Sequence, residues 1–225
     1  MLPSDRFYTK IQNKTFRYPF SRCDVINRSY SQAMQDIMIL SLTKGKTNGT
    51  YLEIGCNVPD HTNNTYVIAE LYGWKGISLD YLQEMKFPWK VLRPESYFVC
   101  ENALTVNYNK LLGDYFKENK TIDYLQLDVD PSINTLKTLE RLPMKDYRFG
   151  FISYETDVYL GNQKIREKSR KIFSDLGYTL LVGDVIVEGD KPYEDWWVDI
   201  NLVDSEIAND IIHRKTSLPE EILFV

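Results

Sequence analysis

A glycine and an acid stand at a spacing that is typical of nucleoside binding. Gly55 ends one short apolar run, and Asp80 ends a second run 25 residues later. An acid at the end of a strand, roughly 20 residues beyond such a glycine, binds the hydroxyls of a ribose through its two oxygens. This spacing predicts that the chain binds a ligand that contains a ribose.

The loop after Gly55 favours one of two such ligands. A pyrophosphate calls for the pattern G-x-G-x-x-G, whose backbone amides close around the phosphates. Here side chains and Pro59 follow Gly55, and Glu53 would place a negative charge beside the phosphates. Such an acid suits S-adenosylmethionine, which carries an ammonium and a sulfonium cation. We predict S-adenosylmethionine as the cofactor and keep an NAD or nucleotide-sugar enzyme as the less favoured alternative.

Acids that follow the later apolar runs could handle a proton. Transfer of the methyl group of this cofactor requires an aligned acceptor and, if the acceptor is a hydroxyl, a base that removes its proton. Asp128 is the first candidate for this base, and Asp130 and Glu155 are second choices that could instead bind a metal ion or a polar acceptor. His61, in the loop after Gly55, is a further catalytic candidate. A helix cap or a solvated surface group is the competing interpretation for each of them.

Alternating strands and helices must position these residues. Strands are predicted at 50–55, 76–80, 96–100, 122–128, 148–155 and 178–182, with a last one around 196–200. Helices are predicted between them, at 62–72, 107–118, 133–141 and 164–176. This order predicts an α/β fold that is Rossmann-like and doubly wound, with a mostly parallel seven-stranded sheet and helices on both faces.

The length of 225 residues favours one large domain over two small ones. Residues 31–42 carry an apolar stripe at helical spacing. We therefore predict an N-terminal helical preface at 1–45, packed on the core, and a methyltransferase domain at 46–225.

Charge and cysteine content exclude several classes of protein. There are 27 Lys and Arg against 32 Asp and Glu, and no basic run stands out, so we predict no nucleic-acid partner. No apolar run approaches the roughly 18 residues that a membrane-spanning helix needs, and we predict a cytoplasmic protein. The three cysteines lack zinc-site spacing, and no metal site is predicted.

The sequence resembles the FkbM-type methyltransferases, a branch of the class I S-adenosylmethionine-dependent enzymes, in five segments and at Ser31, Gln35 and Asp36 of the preface. The resemblance covers roughly residues 31–200. The matching segments are YLEIGCN at 51–57, similar to the family's vDvGAN; NTY at 64–66, similar to SNT; GWKGISLD at 73–80, similar to GWxGlxiE; IDYLQLDVD at 122–130, similar to iDllkiDvEG; and FISYE at 151–155, similar to visiE.

The resemblance implies a cofactor site and an acceptor side. Glu53, Gly55 and Asn57 would line the methionine moiety. Asp80 would hold the ribose hydroxyls, Asn102 would lie beside the adenine amino group, and Asp128 would face the methyl acceptor. The full set of implied cofactor residues is Glu53, Gly55, Cys56, Asn57, Asn64, Thr65, Asp80, Tyr81, Asn102, Ala103 and Asp128.

The implied activity is O-methylation of a hydroxyl on a glycan or a small molecule. Two segments depart from the family pattern: Asp130 and Pro131 replace Glu-Gly, and residues 58–61 replace small residues. These departures keep open a second hypothesis, a catalytically inactive cofactor-binding or interaction module.

Overall fold

A seven-stranded sheet forms the centre of the computed structural model, which describes residues 9–187, 189 and 191–225. A small antiparallel pair precedes it, formed by β1 (Thr9–Lys10) and β2 (Arg28–Ser29). The strands of the main sheet are β3 (Thr50–Ile54), β4 (Lys75–Asp80), β5 (Tyr97–Cys100), β6 (Thr121–Leu127), β7 (Arg148–Glu155), β8 (Thr179–Ile186) and β9 (Pro192–Val198). Their order across the sheet is β5-β4-β3-β6-β7-β9-β8, and β9 is the strand that runs antiparallel to its neighbours.

Helices cover both faces of this sheet. In chain order they are α1 (Gln35–Leu42), α2 (Tyr66–Tyr72), α3 (Lys86–Leu92), α4 (Tyr108–Phe116), α5 (Ser132–Arg141), α6 (Gln163–Asp175), α7 (Ser205–Arg214) and α8 (Pro219–Leu223). The helices α1, α2, α7 and α8 share one apolar core with the sheet, and α4, α5 and α6 share a second core on the other face. This architecture confirms the predicted doubly wound α/β fold.

The central strands contribute to both cores because their side chains alternate between the two faces. Tyr51 and Tyr124 belong to the core under α1 and α2, whereas Leu52 and Leu125 belong to the core under α4, α5 and α6. Strands buried on both faces are nearly continuously apolar, which is why they are visible in the sequence. Among the described helices, none is both long and apolar enough to cross a membrane.

The predicted preface at 1–45 is helical only in part. Residues 1–8 lie outside the described residues, and β1, β2 and a short 3-10 helix at Cys23–Val25 precede α1. Every residue of α1 is buried, so the helix has no solvent-facing stripe. A helix that is buried all round packs between other elements, and here α1 lies against α2 and α7.

Candidate functional site

The carboxyl ends of β3, β4, β5 and β6 surround an open cleft. The chain passes from β3 outward to β4 and β5 and then crosses back to β6, so the connections diverge between β3 and β6. Open parallel sheets bind their ligands at such a switch point. The cleft is lined by Gly55, Asn57, Leu79, Asp80, Tyr81, Leu82, Asn102, Ala103, Asp128, Val129 and Asp130.

The structure brings seven of the predicted cofactor residues together at this cleft. They are Gly55, Asn57, Asp80, Tyr81, Asn102, Ala103 and Asp128. The other four, Glu53, Cys56, Asn64 and Thr65, are buried in the adjoining structure and do not line the cleft. The cleft therefore unites residues from four different strand ends that are up to 73 positions apart in the sequence.

Gly55 allows the loop after β3 to pass close to the end of β6. Its φ is +82°, and a Cβ at this position would lie 1.5 Å from the main-chain oxygen of Asp128. The Gly55 N–H also donates to the Leu79 carbonyl of β4 at 2.8 Å. Only glycine combines this left-handed conformation with the close approach. Gly55 thus bonds the loop to β4 and allows it to pass close to the end of β6.

Asp80 holds the loop by both of its carboxylate oxygens. Oδ2 accepts a hydrogen bond from the Asn57 N–H at 2.8 Å, and Oδ1 accepts one from the Leu82 N–H at 3.0 Å. Each carboxylate oxygen can accept a second hydrogen bond. Asp80 can therefore bind a diol without releasing the loop.

Glu53 lies in a buried polar network next to the cleft. Its Oε2 contacts the Thr65 hydroxyl and the Ser78 hydroxyl, each at 2.9 Å. Burial raises the pKa of Glu53, although the Arg93 guanidinium and these hydrogen bonds oppose the shift. Glu53 is therefore held by the protein itself, with its side chain directed into the network.

Two further predicted cofactor residues belong to the loop after β3, and both are buried. Burial raises the pKa of the Cys56 thiol well above its usual value, and the nearby carboxylates of Glu53 and Asp80 raise it further. The thiol is therefore protonated and unsuited to act as a nucleophile. Asn64 has a buried side-chain oxygen that accepts no hydrogen bond within the described residues.

The opposite wall of the cleft comes from the ends of β4 and β5. Tyr81 follows Asp80 and is 64% exposed, so its ring faces solvent at the cleft mouth. The Asn102 side-chain oxygen accepts a hydrogen bond from the Leu104 N–H at 2.8 Å. This bond leaves the amide nitrogen of Asn102 as the group that can donate to a ligand.

Carboxylates gather where β6 and β7 end. Asp128 and Asp130 follow β6, while Glu155 and Asp157 lie at and after the end of β7. Glu155 hydrogen-bonds Asp128, and burial raises the pKa of both side chains. The hydrogen bond favours the ionised form of Asp128 and the protonated form of Glu155. At neutral pH the pair therefore shares one proton.

Three of these acids could also hold a cation. Carboxylate oxygens of Asp130, Glu155 and Asp157 lie within 4.8 Å of one another. Hard cations such as Mg²⁺ prefer oxygen ligands, although Glu155 would first have to release its proton. Asp130 and Glu155 are the two acids for which the sequence leaves metal binding open as an alternative.

His61 stands apart from the cleft. Its Nδ1 lies 2.8 Å from a carboxylate oxygen of Asp60, and both side chains are partly exposed. His61 is not among the residues that line the cleft. In this position its Nδ1 contacts its sequence neighbour Asp60.

Solved structures share this architecture. A candidate rRNA methylase from Clostridium thermocellum matches with a TM-score of 0.53 and 12% identity, covering 77% of this chain and 99% of its own. The fibrillarin pre-rRNA processing protein of Methanococcus jannaschii has a TM-score of 0.50 and 13% identity, with 84% of each chain covered. The chain has a methyltransferase fold.

A third structure with this methyltransferase fold contains a ligand. The plantazolicin methyltransferase BamL, in complex with a triazolic desmethylPZN analog and SAH, matches with a TM-score of 0.50 and 12% identity, covering 76% of this chain and 84% of its own. At such identities the likeness is one of fold alone. No protein-family model matches the sequence, and no curated protein matches it either.

Within the methyltransferase fold, the structure adds residues that are not predicted from the sequence. Asp157 joins the acidic group. The sequence feature that could have identified it is its position two residues beyond the predicted strand at 148–155. Leu82 contributes a main-chain N–H to Asp80. A main-chain donor leaves no trace in the residue type, so no sequence signal could have identified it.

Proposed function

We propose that this chain is an S-adenosylmethionine-dependent methyltransferase that methylates a hydroxyl of a glycan or small molecule. The observation that carries the proposal is the meeting of Gly55, Asp80, Asn102 and Asp128 around one cleft at the switch point of a methyltransferase fold. The presence of SAH in the BamL structure supports the same cofactor here. The residues 51–57 and 73–80 that resemble the FkbM-type enzymes supply two of these strand ends.

The groups at the cleft fit this cofactor better than NAD. Asp80 can accept hydrogen bonds from ribose hydroxyls, and the amide nitrogen of Asn102 can donate to an adenine ring. Neither Asp80 nor Asp128 forms an ion pair with a Lys or Arg in the described part of the chain, so the cleft keeps a negative charge. Negative charge attracts a sulfonium and an ammonium and repels a pyrophosphate.

Asp128 is the proposed general base. The bound cofactor would supply a methyl group activated by the positive sulfur. Asp128 would accept the proton of the acceptor hydroxyl, and Glu155 would keep Asp128 ionised by donating a hydrogen bond to it. The remaining task of the protein is to align the acceptor oxygen, which converts a bimolecular encounter into a positioned reaction.

An acidic acceptor side disfavours RNA, although two similar structures carry rRNA-related names. RNA binding relies on Lys and Arg side chains that neutralise phosphates. Here Asp128, Asp130 and Asp157 lie on the acceptor side, and the formal net charge of the chain is −5. We therefore keep the small-molecule or glycan acceptor.

The cysteines of the described chain are free, which agrees with the proposed cytoplasmic location.

Titration with S-adenosylhomocysteine tests the cofactor assignment. We expect one-to-one binding at micromolar concentration by the wild type and at least about tenfold weaker binding by Asp80→Asn, because one charged acceptor of the diol is lost. The matched control is Asp204→Asn: Asp204 also accepts a main-chain N–H, from Ile207 at 2.9 Å, but it caps α7 away from the cleft. Isothermal calorimetry on all three proteins measures the difference.

Two other results would change the assignment. A folded wild type that does not bind S-adenosylhomocysteine would leave only the fold. Binding without turnover on a panel of glycan and small-molecule hydroxyls would favour the inactive cofactor-binding module, which the departures at Asp130 and Pro131 keep open.

A further inference from the structure

We propose that Trp89 and Arg93 are positioning residues that hold the loop at 55–65 in the conformation that binds the cofactor. This inference rests on the proposed function. Both residues come from α3 and its carboxyl end, and neither lines the cleft. Both are 1% exposed, and their polar groups are directed at this loop.

Trp89 holds the first part of the loop through a main-chain carbonyl. Its indole N–H donates to the Asn57 oxygen at 2.8 Å, and its ring stacks on Phe98 with centroids 5.1 Å apart. Asn57 has a left-handed φ of +45°, and its own N–H donates to Asp80. Because the carbonyl and the N–H of Asn57 are both held, the Trp89 bond fixes the conformation that connects the loop to Asp80.

Arg93 holds the last part of the loop. One terminal nitrogen donates to the Asn63 side-chain oxygen and to the Thr65 hydroxyl, both at 3.0 Å, and the other donates to the Tyr51 hydroxyl at 3.1 Å. Its guanidinium carbon lies 4.8 Å from the centroid of the Trp89 ring. The planar fork of an arginine suits this set of partners, and a lysine could satisfy fewer of them.

Asn63 connects the two halves of the loop. Its amide nitrogen donates to the carbonyls of Cys56 at 3.3 Å and Val58 at 3.0 Å, while its oxygen accepts from Arg93. The hydrogen-bonded path therefore runs from Arg93 through Asn63 to the residues that follow Gly55. Burial of a guanidinium is costly unless it is well paired. Both terminal nitrogens of Arg93 donate hydrogen bonds, whereas its Nε lies 3.9 Å from a carboxylate oxygen of Glu70 and forms no hydrogen bond within the described residues.

Deletion of one hydrogen bond tests the role of Trp89. Trp89→Phe removes the indole donor and keeps an aromatic ring against Phe98. The matched control is Trp74→Phe: Trp74 is also buried and donates its indole N–H to a main-chain carbonyl, that of Lys46 at 2.6 Å, but away from the cleft. We expect Trp89→Phe to bind S-adenosylhomocysteine about tenfold more weakly and Trp74→Phe to bind it like the wild type.

Hydrogen exchange of the ligand-free proteins gives a readout that does not need the cofactor. Peptides containing residues 56–58 should exchange faster in Trp89→Phe than in the wild type and should be unchanged in Trp74→Phe. Arg93→Lys keeps the charge but loses the fork, and we expect faster exchange at 63–65 together with weaker binding.

The outcomes separate this inference from the proposed function. Wild-type affinity in Trp89→Phe, or unchanged loop exchange in that variant, would overturn the inference while leaving the cofactor assignment intact. Equal loss of affinity in Trp74→Phe would overturn it as well, since the effect would then be one of general stability. If the wild type itself does not bind, the proposed function fails, and unchanged exchange at 56–58 would still refute the anchoring of the loop.

Discussion

At Gly55 two separate constraints disfavour a side chain. The first is the left-handed backbone conformation, and the second is the 1.5 Å between a Cβ there and the Asp128 oxygen. A second glycine distinguishes the two effects. Gly161 has a similar φ of +88°, but a Cβ added to it would meet nothing within 4 Å.

Alanine at these two glycines should therefore have very different effects. Gly161→Ala should cost about 1 to 2 kcal/mol of unfolding free energy, which is the backbone strain alone. Gly55→Ala should cost clearly more, because β3 and β6 must separate to admit the methyl group. Chemical denaturation of both variants measures the difference, and similar losses would show that the contact with Asp128 is easily relieved.

The placement at the cleft of residues at or just beyond the strand ends could be predicted from the sequence, whereas the placement of Glu53 could not. Asp80, Asn102 and Asp128 stand at or just beyond strand ends, where a side chain faces the ligand edge of the sheet. Glu53 lies within β3, one residue before its end, and its side chain enters the layer under α2. The direction of a side chain at that position depends on the pleat and not on the residue type.

Among the elements, the helices α3, α7 and α8 are absent from the sequence prediction. The helix α3 contains Pro88 and exposes Phe87 and Val91, so its pattern is neither amphipathic nor helix-favouring. Proline is tolerated there because it lies in the first turn, where no helical N–H is needed. The strand β9 begins at Pro192, earlier than the predicted strand around 196–200. Its first half is not predicted because it contains the charged residues Glu194 and Asp195, which are buried in the structure.

One of those charged residues joins β9 to α6. Asp195 is fully buried, and Arg170 donates to its two carboxylate oxygens at 2.8 and 2.7 Å. Removal of the arginine would leave a buried carboxylate without its cation, which typically costs about 3 to 5 kcal/mol.

We expect this loss in Arg170→Met. Lys171→Met, on the adjacent position of α6, removes an exposed pair with Asp175 and should cost less than about 1 kcal/mol. Thermal and urea denaturation of the two variants tests the difference. Equal effects would mean that the Asp195 carboxylate finds another partner or takes up a proton.

Several acids in the described part of the molecule are buried and have a raised pKa. Asp36, Glu53, Glu155 and Glu194 all belong to this group, each mainly because of burial. When the folded-state pKa of an acid is raised, the unfolded chain releases the proton first as the pH increases. The contribution of such an acid to the free energy of unfolding is therefore fully present below its usual pKa and is lost as the pH rises towards the folded-state pKa.

Glu194 contributes a share that can be measured. Burial raises its pKa from 4.5 to about 8, against the hydrogen bonds from Trp196 and Gln35. Stability should fall by about 1.4 kcal/mol per pH unit from this group between those values. Glu194→Gln should reduce the decline in unfolding free energy from pH 5 to pH 8 by about 3 kcal/mol.

The control for this experiment is Glu220→Gln, at an exposed site paired with Lys14. It should leave the pH dependence as in the wild type, whatever its effect on absolute stability. Urea denaturation at several pH values gives the slope directly. An unchanged slope in Glu194→Gln would mean that Glu194 is already ionised in the folded protein at pH 5.

The position of β9 also sets the order in which the chain can be completed on the ribosome. In the described structure β8 pairs with β9 only, and β9 lies between β8 and β7. β8 is synthesised before β9 but therefore has no pairing partner in the sheet until β9 has been synthesised. A nascent chain that has emerged only as far as residue 186 exposes the edge of β7 together with an unpaired β8. The five parallel strands and the residues that line the cleft at their ends have all emerged by that point, whereas the far edge of the sheet and the helices α7 and α8 have not.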